Sequence, residues 1–148
     1  MKAHLLQVYY VRRADLYVVP SLPSRKGMIA LDAVVKVEGG WGGLSAALRE
    51  GERLALSEAE RTAAKRRYGN LEKLIKAAGC ETFADMVRQD TVICSIVRVP
   101  DYVLVTKVLP NTKLNTFEGS HQEQYPADTS IDELARIARR ILEASESE

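Results

Sequence analysis

The sequence predicts an α+β fold: a largely antiparallel β-sheet built from hairpins, packed against several α-helices. Three observations carry this. Segments with strand character come in pairs joined by short breaks, 5–11 with 15–22 and 91–99 with 102–109. Stretches of helical period lie between and after these pairs instead of alternating singly with strands. Three Ser/Thr-x-x-Glu/Asp capping boxes, at 57–60, 82–85 and 130–133, mark helix starts. A chain of 148 residues with 46% hydrophobic and 28% charged side chains suits one domain, 1–148, with a core of its own.

The elements follow in order. LLQVYYV (5–11) and DLYVVPSL (15–22) are rich in β-branched and aromatic residues and flank a polar break at Arg12–Asp15, which reads as a hairpin. Pro20 removes a donor, so the second strand is expected to end there or lie at an edge. PSRKG (23–27) reads as a turn and MIALDAVVKV (28–37) as a third extended segment. After GGWGG (39–43), Leu44, Ala47, Leu48, Gly51, Leu54 and Ala55 recur at helical spacing. SEAE restarts a helix to about Arg67, which Tyr68–Asn70 break. LEKLIKAAG (71–79) is a short helix closed by Gly79, and TFAD opens another.

TVICSIVRV (91–99) and YVLVTKVL (102–109), joined at Pro100–Asp101, form the most apolar hairpin, expected at the sheet centre with at least one face covered. NTKLNTFEGS (111–120) reads as a loop with a short strand, and HQEQYP (121–126) as extended. The last helix starts at SIDE and buries Ile131, Leu134, Ala138, Ile141 and Leu142. Asp132–Arg136 and Arg139–Glu143 are i,i+4 pairs on its surface, and SESE (145–148) is a frayed tail.

Charge excludes little globally: 21 basic against 20 acidic residues leave a net +1. Locally, 61–79 carries six basic residues and one acid, while 121–148 carries seven acids and three Arg. A basic middle and an acidic end can steer a charged partner despite the balanced sum. No segment nears the ~18 consecutive apolar residues of a membrane span. The first apolar run is interrupted by Gln7, followed by Arg12 and Arg13, and lacks a cleavage site. No membrane association is expected. Cys80 and Cys94 lie outside any CxxC or Cys/His cluster and read as free thiols of a cytoplasmic protein.

Three stretches carry candidate chemistry. In GGWGG, Gly40-x-Gly42-x-x-Ser45 resembles part of a dinucleotide fingerprint. No P-loop Lys-Ser/Thr follows and no strand–helix–strand unit surrounds it, so a flexible loop bearing Trp41 is the plainer reading and no cofactor is expected. In GSHQEQYP (119–126), His121, Glu123 and Tyr125 share one face of an extended segment, an arrangement that could orient an imidazole. No nucleophile is paired with it, and three metal ligands would need a partner from elsewhere in the fold that the sequence does not name, so no catalytic residue and no metal are assigned. In AAKRRYGN (63–70), Lys65, Arg66 and Arg67 with Tyr68 could meet nucleic acid. Neighbouring helical positions point apart, and Glu58 and Glu60 dilute the field, so no nucleic-acid partner is expected.

The whole-chain layout sharpens the reading. The Tyr9-to-Val37 opening, LEKLIKAAGCETFADMVRQDTVICSI (71–96), the FEG step (117–119) and the SIDELARIARRIL helix together resemble the immunity proteins of bacterial contact-dependent growth inhibition systems. The resemblance rests on helices, turns and small residues, not on catalytic residues. It departs from the family pattern in the KRRYGN approach and the polar 119–126 segment. It implies a cytoplasmic protein, not an enzyme, that binds one cognate toxin C-terminal domain and blocks its active site or an exosite; many such toxins are nucleases. Tight inhibition calls for aromatic anchors and a complementary charged rim. Glu118, His121, Glu123, Tyr125 and Asp128 are therefore the first expected partner surface, and Trp41, Asp101 and Tyr102 the second. The basic 61–76 region as a nucleic-acid binder, and a small enzyme centred on His121, stay open as alternatives.

Overall fold

The computed structural model describes residues 3–24, 27–31, 33–57, 60–63 and 71–144. Strands β1 (His4–Val11) and β2 (Asp15–Ser24) form the first hairpin, β3 (Gly27–Ala30) and β4 (Val35–Lys36) follow, and β5 (Val92–Arg98), β6 (Tyr102–Asn111) and β7 (Thr116–Pro126) close the series. All pairings are antiparallel, in the order β3-β2-β1-β5-β6-β7, with β4 also on β2. The helices are α1 (Leu44–Leu56), α2 (Glu72–Ala77), α3 (Phe83–Arg88) and α4 (Ile131–Glu143), with residues 60–63 also helical. The α+β class and the hairpin-built sheet are as the sequence predicts.

Pairing explains where the strand boundaries differ from expectation. β2 runs through Pro20 to Ser24. Pro20 falls between the residues that pair with β4 (Tyr17, Val18) and those that pair with β3 (Ser21–Ser24), and its carbonyl accepts from Leu31 N–H at 2.9 Å. The expected third strand is two short ones because Leu31, 1% exposed, turns into the core between them. The expected 111–120 loop shrinks to 112–115: Asn111 Oδ1 accepts from the Lys113 and Leu114 amides, and Asn115 takes a left-handed φ of 53°. β6 and β7 thereby become the longest hairpin.

The sheet has helices on both faces. Leu6, Val8, Cys94, Ile96, Val103 and Val105 meet the buried stripes of α1 and α4. The opposite sides of the same strands, through Tyr9, Tyr17, Val19 and Ile93, meet Leu74, Ala78, Cys80 and Met86 of the α2–α3 region. Two-sided burial is why β1 and β5 read as nearly continuous apolar runs. The α1 stripe is Leu44, Ala47, Leu48, Gly51 and Ala55; that of α4 adds Ala135 and Ile137 to the expected residues and leaves Ile131 half-buried.

Caps set the helix ends. Thr82 and Asp85 form a reciprocal capping box. Ser57 and Ser130 make the forward bond, to the Glu60 and Glu133 amides. Gly79, at φ 73°, closes α2 with paired bonds from Cys80 N–H to Ile75 O and Gly79 N–H to Lys76 O, the arrangement only a residue at ease in left-handed space permits. On α4, Arg139–Glu143 forms as expected, but Arg136 pairs with Glu133. Asp132 instead accepts from Arg49 of α1 at 2.7 Å, tying the two helices together. The expected turn at 25–26, the helix to Arg67, the break at 68–70 and the tail at 145–148 lie outside the described residues.

One buried polar cluster joins four elements. Glu52 of α1 accepts from His4 Nε2 of β1 at 3.0 Å and from Arg98 Nε of β5 at 3.2 Å. The other Arg98 nitrogens donate to Ala127 O and Thr129 O, in the turn that launches α4. His4 and Arg98 are 1% and 7% exposed, so the carboxylate is what makes their burial tolerable. His4 chiefly, and Arg98 against the opposing effect of burial, hold the Glu52 carboxyl below its ordinary range.

Gly51 tests the α1–sheet contact. A Cβ there would stand 2.9 Å from Val18 Cγ1 and 3.2 Å from Leu6 Cδ2, both core side chains. Alanine gains about 1 kcal/mol in helix propensity, but overpacking of a rigid core costs about 1–3 kcal/mol. We expect Gly51→Ala to lower stability by roughly 1 kcal/mol net in urea unfolding; an unchanged or raised midpoint would contradict this packing.

Candidate interaction surface around the last strand and helix

β7 is the outer strand of the sheet, and its sequence carries an irregularity that decides what it presents. Lys107 pairs with His121 and Val108 with Gly119, so Ser120 is an extra residue without a partner. Such a bulge reverses the in–out alternation. Phe117 therefore packs on the α2–α3 side against Phe83, whereas Tyr125 packs on the α1–α4 side. Without the bulge, Phe117 and Tyr125, eight residues apart, would share a face. Glu118, on the other parity, is brought by it to the same side as His121, Glu123 and Tyr125. Its carboxylate accepts from Asn111 at 3.0 Å.

The His121, Glu123 and Tyr125 trio is assembled as expected. The Glu123 carboxylate accepts from His121 Nε2 at 2.8 Å and from the Tyr125 hydroxyl. It also takes a two-pronged bond from the Arg140 guanidinium of α4, which reaches the Tyr125 oxygen at 3.1 Å as well. These donors, Arg140 foremost, hold the Glu123 carboxyl down at about 2. Tyr125 moves upward, through burial and its bond to the carboxylate. Lys107 donates to Ala144 O at the α4 C-terminus at 3.4 Å, a second tie between this edge and the helix.

Arg140 was not among the sequence-derived candidates. Its signal was faint: it follows Ile137 by one turn and so borders the buried stripe, where a long side chain can reach over to the sheet. Chemically, the trio with Arg140 is a neutralised pin. An imidazole held by a carboxylate is half of an acid–base pair, but the thiol on this face, Cys94, is fully buried and pushed up to about 12. The Ser120 hydroxyl is engaged with Lys107 O. Among the described residues no group of three His, Cys, Asp or Glu side chains could hold a metal ion.

The other candidates fall in separate places. Asp101 and Asp128 are exposed, and Tyr102 pairs with Pro126, so these three share the end of the β6–β7 hairpin nearest the start of α4. Trp41 is half-buried, with its ring 5.0 Å from Tyr10 and the Arg139 guanidinium 5.7 Å above it. It flanks α4 on the side away from β7. The glycines around it serve the backbone. Gly39 and Gly40 take φ of 77° and 66°, and a Cβ on Gly43 would fall 1.8 Å from Glu38 O. The 40–43 segment is a 3-10 turn leading into α1. Lys65, Arg66, Arg67 and Tyr68 lie outside the described residues. No helix among the described residues is long and apolar enough to cross a membrane.

No protein-family model matches the chain, and no curated protein is similar to it in sequence. Its fold, however, is that of a chain in the CdiA-CT/CdiI toxin and immunity complex from Yersinia pseudotuberculosis. The match covers 95% of this chain and 98% of that one, at a TM-score of 0.61 and 12% identity. A protein of unknown function from Neisseria meningitidis, NMB0488, is also similar over 96% of this chain and 94% of its own, at a TM-score of 0.54 and 8% identity. The α+β fold expected from the sequence is shared with the chain of the toxin and immunity complex.

The Glu123 cluster makes a pH-dependent contribution. Its carboxyl lies near 2 in the folded chain against an ordinary 4.5, so the folded state favours the ionised form. That stabilisation is present above about pH 4.5 and is lost as pH falls toward 2. Allowing for screening at this partly open edge, Glu123→Gln should cost about 1–2 kcal/mol at neutral pH. The gap between wild type and variant in chemical unfolding should close as the solution is acidified. A gap independent of pH would mean that packing, not charge, holds the strand to α4.

Proposed function

We propose that the chain is an immunity protein of contact-dependent growth inhibition. In the cytoplasm it binds the C-terminal domain of a cognate toxin, a nuclease, and blocks its active site or an exosite while catalysing nothing itself. One observation carries the reading: near-complete coverage, 95% and 98%, between this chain and a chain of a toxin and immunity complex. Among the described residues no activated nucleophile stands beside His121, in keeping with a binding role.

The surface along β7 and its flanking turns is the proposed contact. Tyr125 and Tyr102 supply amphipathic anchors of the kind enriched at interface centres. Glu118, Asp101 and Asp128 supply an acidic rim suited to a basic nuclease. Glu123 has a different part from the one its charge suggested. Its carboxylate is matched by Arg140 within the chain, so it contributes little long-range field and serves to fix Tyr125 and His121. Trp41, seated on Tyr10 beneath Arg139, is a secondary anchor.

Two experiments test this. Expression of the toxin domain encoded upstream, with and without this chain, should give growth arrest relieved by co-expression and a one-to-one complex on purification. Toxicity without rescue or complex would refute immunity. Within a rescued pair, Glu118→Lys with Asp128→Lys should slow association about tenfold at low salt and flatten its salt dependence. Unaltered association kinetics would move the contact elsewhere on the molecule.

A further inference from the structure

The face of the sheet away from α4 contains a cleft of about 410 Å3 that the proposed contact does not use. Its walls are Phe83, Phe117, Ile93 and Val108, and its lining includes Gln7 and Tyr9 of β1. Tyr9, Phe83 and Phe117 form an edge-to-face chain, with ring centroids 6.4 Å and 5.5 Å apart at 89° and 78°. Edge-to-face neighbours leave ring faces available to a further planar ring. The volume lies at the lower end of small-molecule sites, enough for one or two fused rings.

Two buried polar groups in this lining lack their full complement of partners. Tyr9 is 2% exposed, and its hydroxyl has no hydrogen-bond partner among the described residues. Gln7 is 5% exposed; its Nε2 donates to Ser95 Oγ at 2.8 Å, which fixes the amide and leaves Oε1 without a donor among the described residues. Neither atom is sealed from solvent; both residues line the cleft, where a guest's OH or NH can take the place of water on them. Among the described residues no Lys, Arg, Asp or Glu lines the cleft, so a charged guest would lose its hydration without compensation there.

We infer that this cleft binds a small, neutral aromatic molecule bearing a hydrogen-bonding OH or NH, a phenol or an indole. The ring fills the space between Phe117, Phe83 and Ile93. The polar atom meets Tyr9 Oη and Gln7 Oε1. The inference stands independently of toxin neutralisation.

The test uses the free full-length chain and three probes, p-cresol, indole and toluene, titrated into 15N-labelled protein. p-Cresol and indole should give saturable shifts centred on the amides of Tyr9, Ile93, Val108 and Phe117, and toluene should bind about three- to tenfold more weakly. Tyr9→Phe should remove that advantage and leave toluene binding and stability in place. Thr116→Trp, at the exposed margin of the cleft, should exclude all three. Absence of saturable shifts at these amides would overturn the inference. So would p-cresol binding no tighter than toluene, or a Tyr9→Phe variant destabilised as if an internal hydrogen bond had been removed. If these amides respond only to the toxin domain and to no probe, the occupant is a partner's side chain and the small-molecule assignment fails.

Discussion

The half-buried carboxylate of Glu52 is the interaction on which the arrangement of layers depends. It answers two cationic or proton-donating groups, His4 and Arg98, that have almost no access to water. Arg98 is then committed on its far side to the carbonyls of Ala127 and Thr129. One side chain on α1 thereby sets β1 against β5 and fixes the turn from which α4 departs. A buried pair of this kind adds little net stability compared with a hydrocarbon replacement, yet removing one partner costs roughly 3–5 kcal/mol because the other charge is stranded. Its effect is on geometry: helix α4 starts at one place, runs back along β7, and brings Arg140 over Glu123.

Position along β7 matters because of Ser120. A single unpaired residue turns an eleven-residue strand into two segments of opposite alternation. The aromatic ring before it joins the α2–α3 core; the aromatic ring after it joins the α4 side. The same bulge thus completes the wall of the neutral cleft on one face and builds the charged cluster on the other. Deleting it would exchange these sets of side chains, placing His121 and Glu123 in the apolar layer, so the register of this hairpin is specified by both faces together.

Much of this was legible in the sequence because apolar period and local turn chemistry are strong signals. The α1 and α4 stripes, the 91–99 and 102–109 hairpin, the cap at Thr82 and the closure at Gly79 all follow from residues within a few positions of one another. The grouping of His121, Glu123 and Tyr125 also followed from strand parity, since all three lie beyond the bulge. What could not be read depends on partners distant in sequence. Arg140 meets Glu123 across 17 positions, Arg98 meets Glu52 across the core, and Asp132 chooses Arg49 of another helix over its own neighbour Arg136. Pro20 looked like a strand end because its chain-distant partners, two short strands leaving a gap between them, were unseen.

The division of polar chemistry between the two faces has a functional consequence. On the α4 side, opposite charges are matched within the chain, so Glu123 and Arg140 present a rigid, nearly neutral platform and long-range steering falls to unmatched acids at the margins. A partner arriving there meets ordered Tyr and His side chains that lose little entropy on contact, a condition that favours slow dissociation. On the α2–α3 side, no charged side chain among the described residues lines the cleft, and two hydrogen-bonding groups open into its apolar wall. The first surface fits the toxin contact proposed for it. The second is suited to something small enough to enter the sheet's own core. One fold can carry both because β1, β5 and β6, packed on either face, separate the two environments by a full layer of backbone.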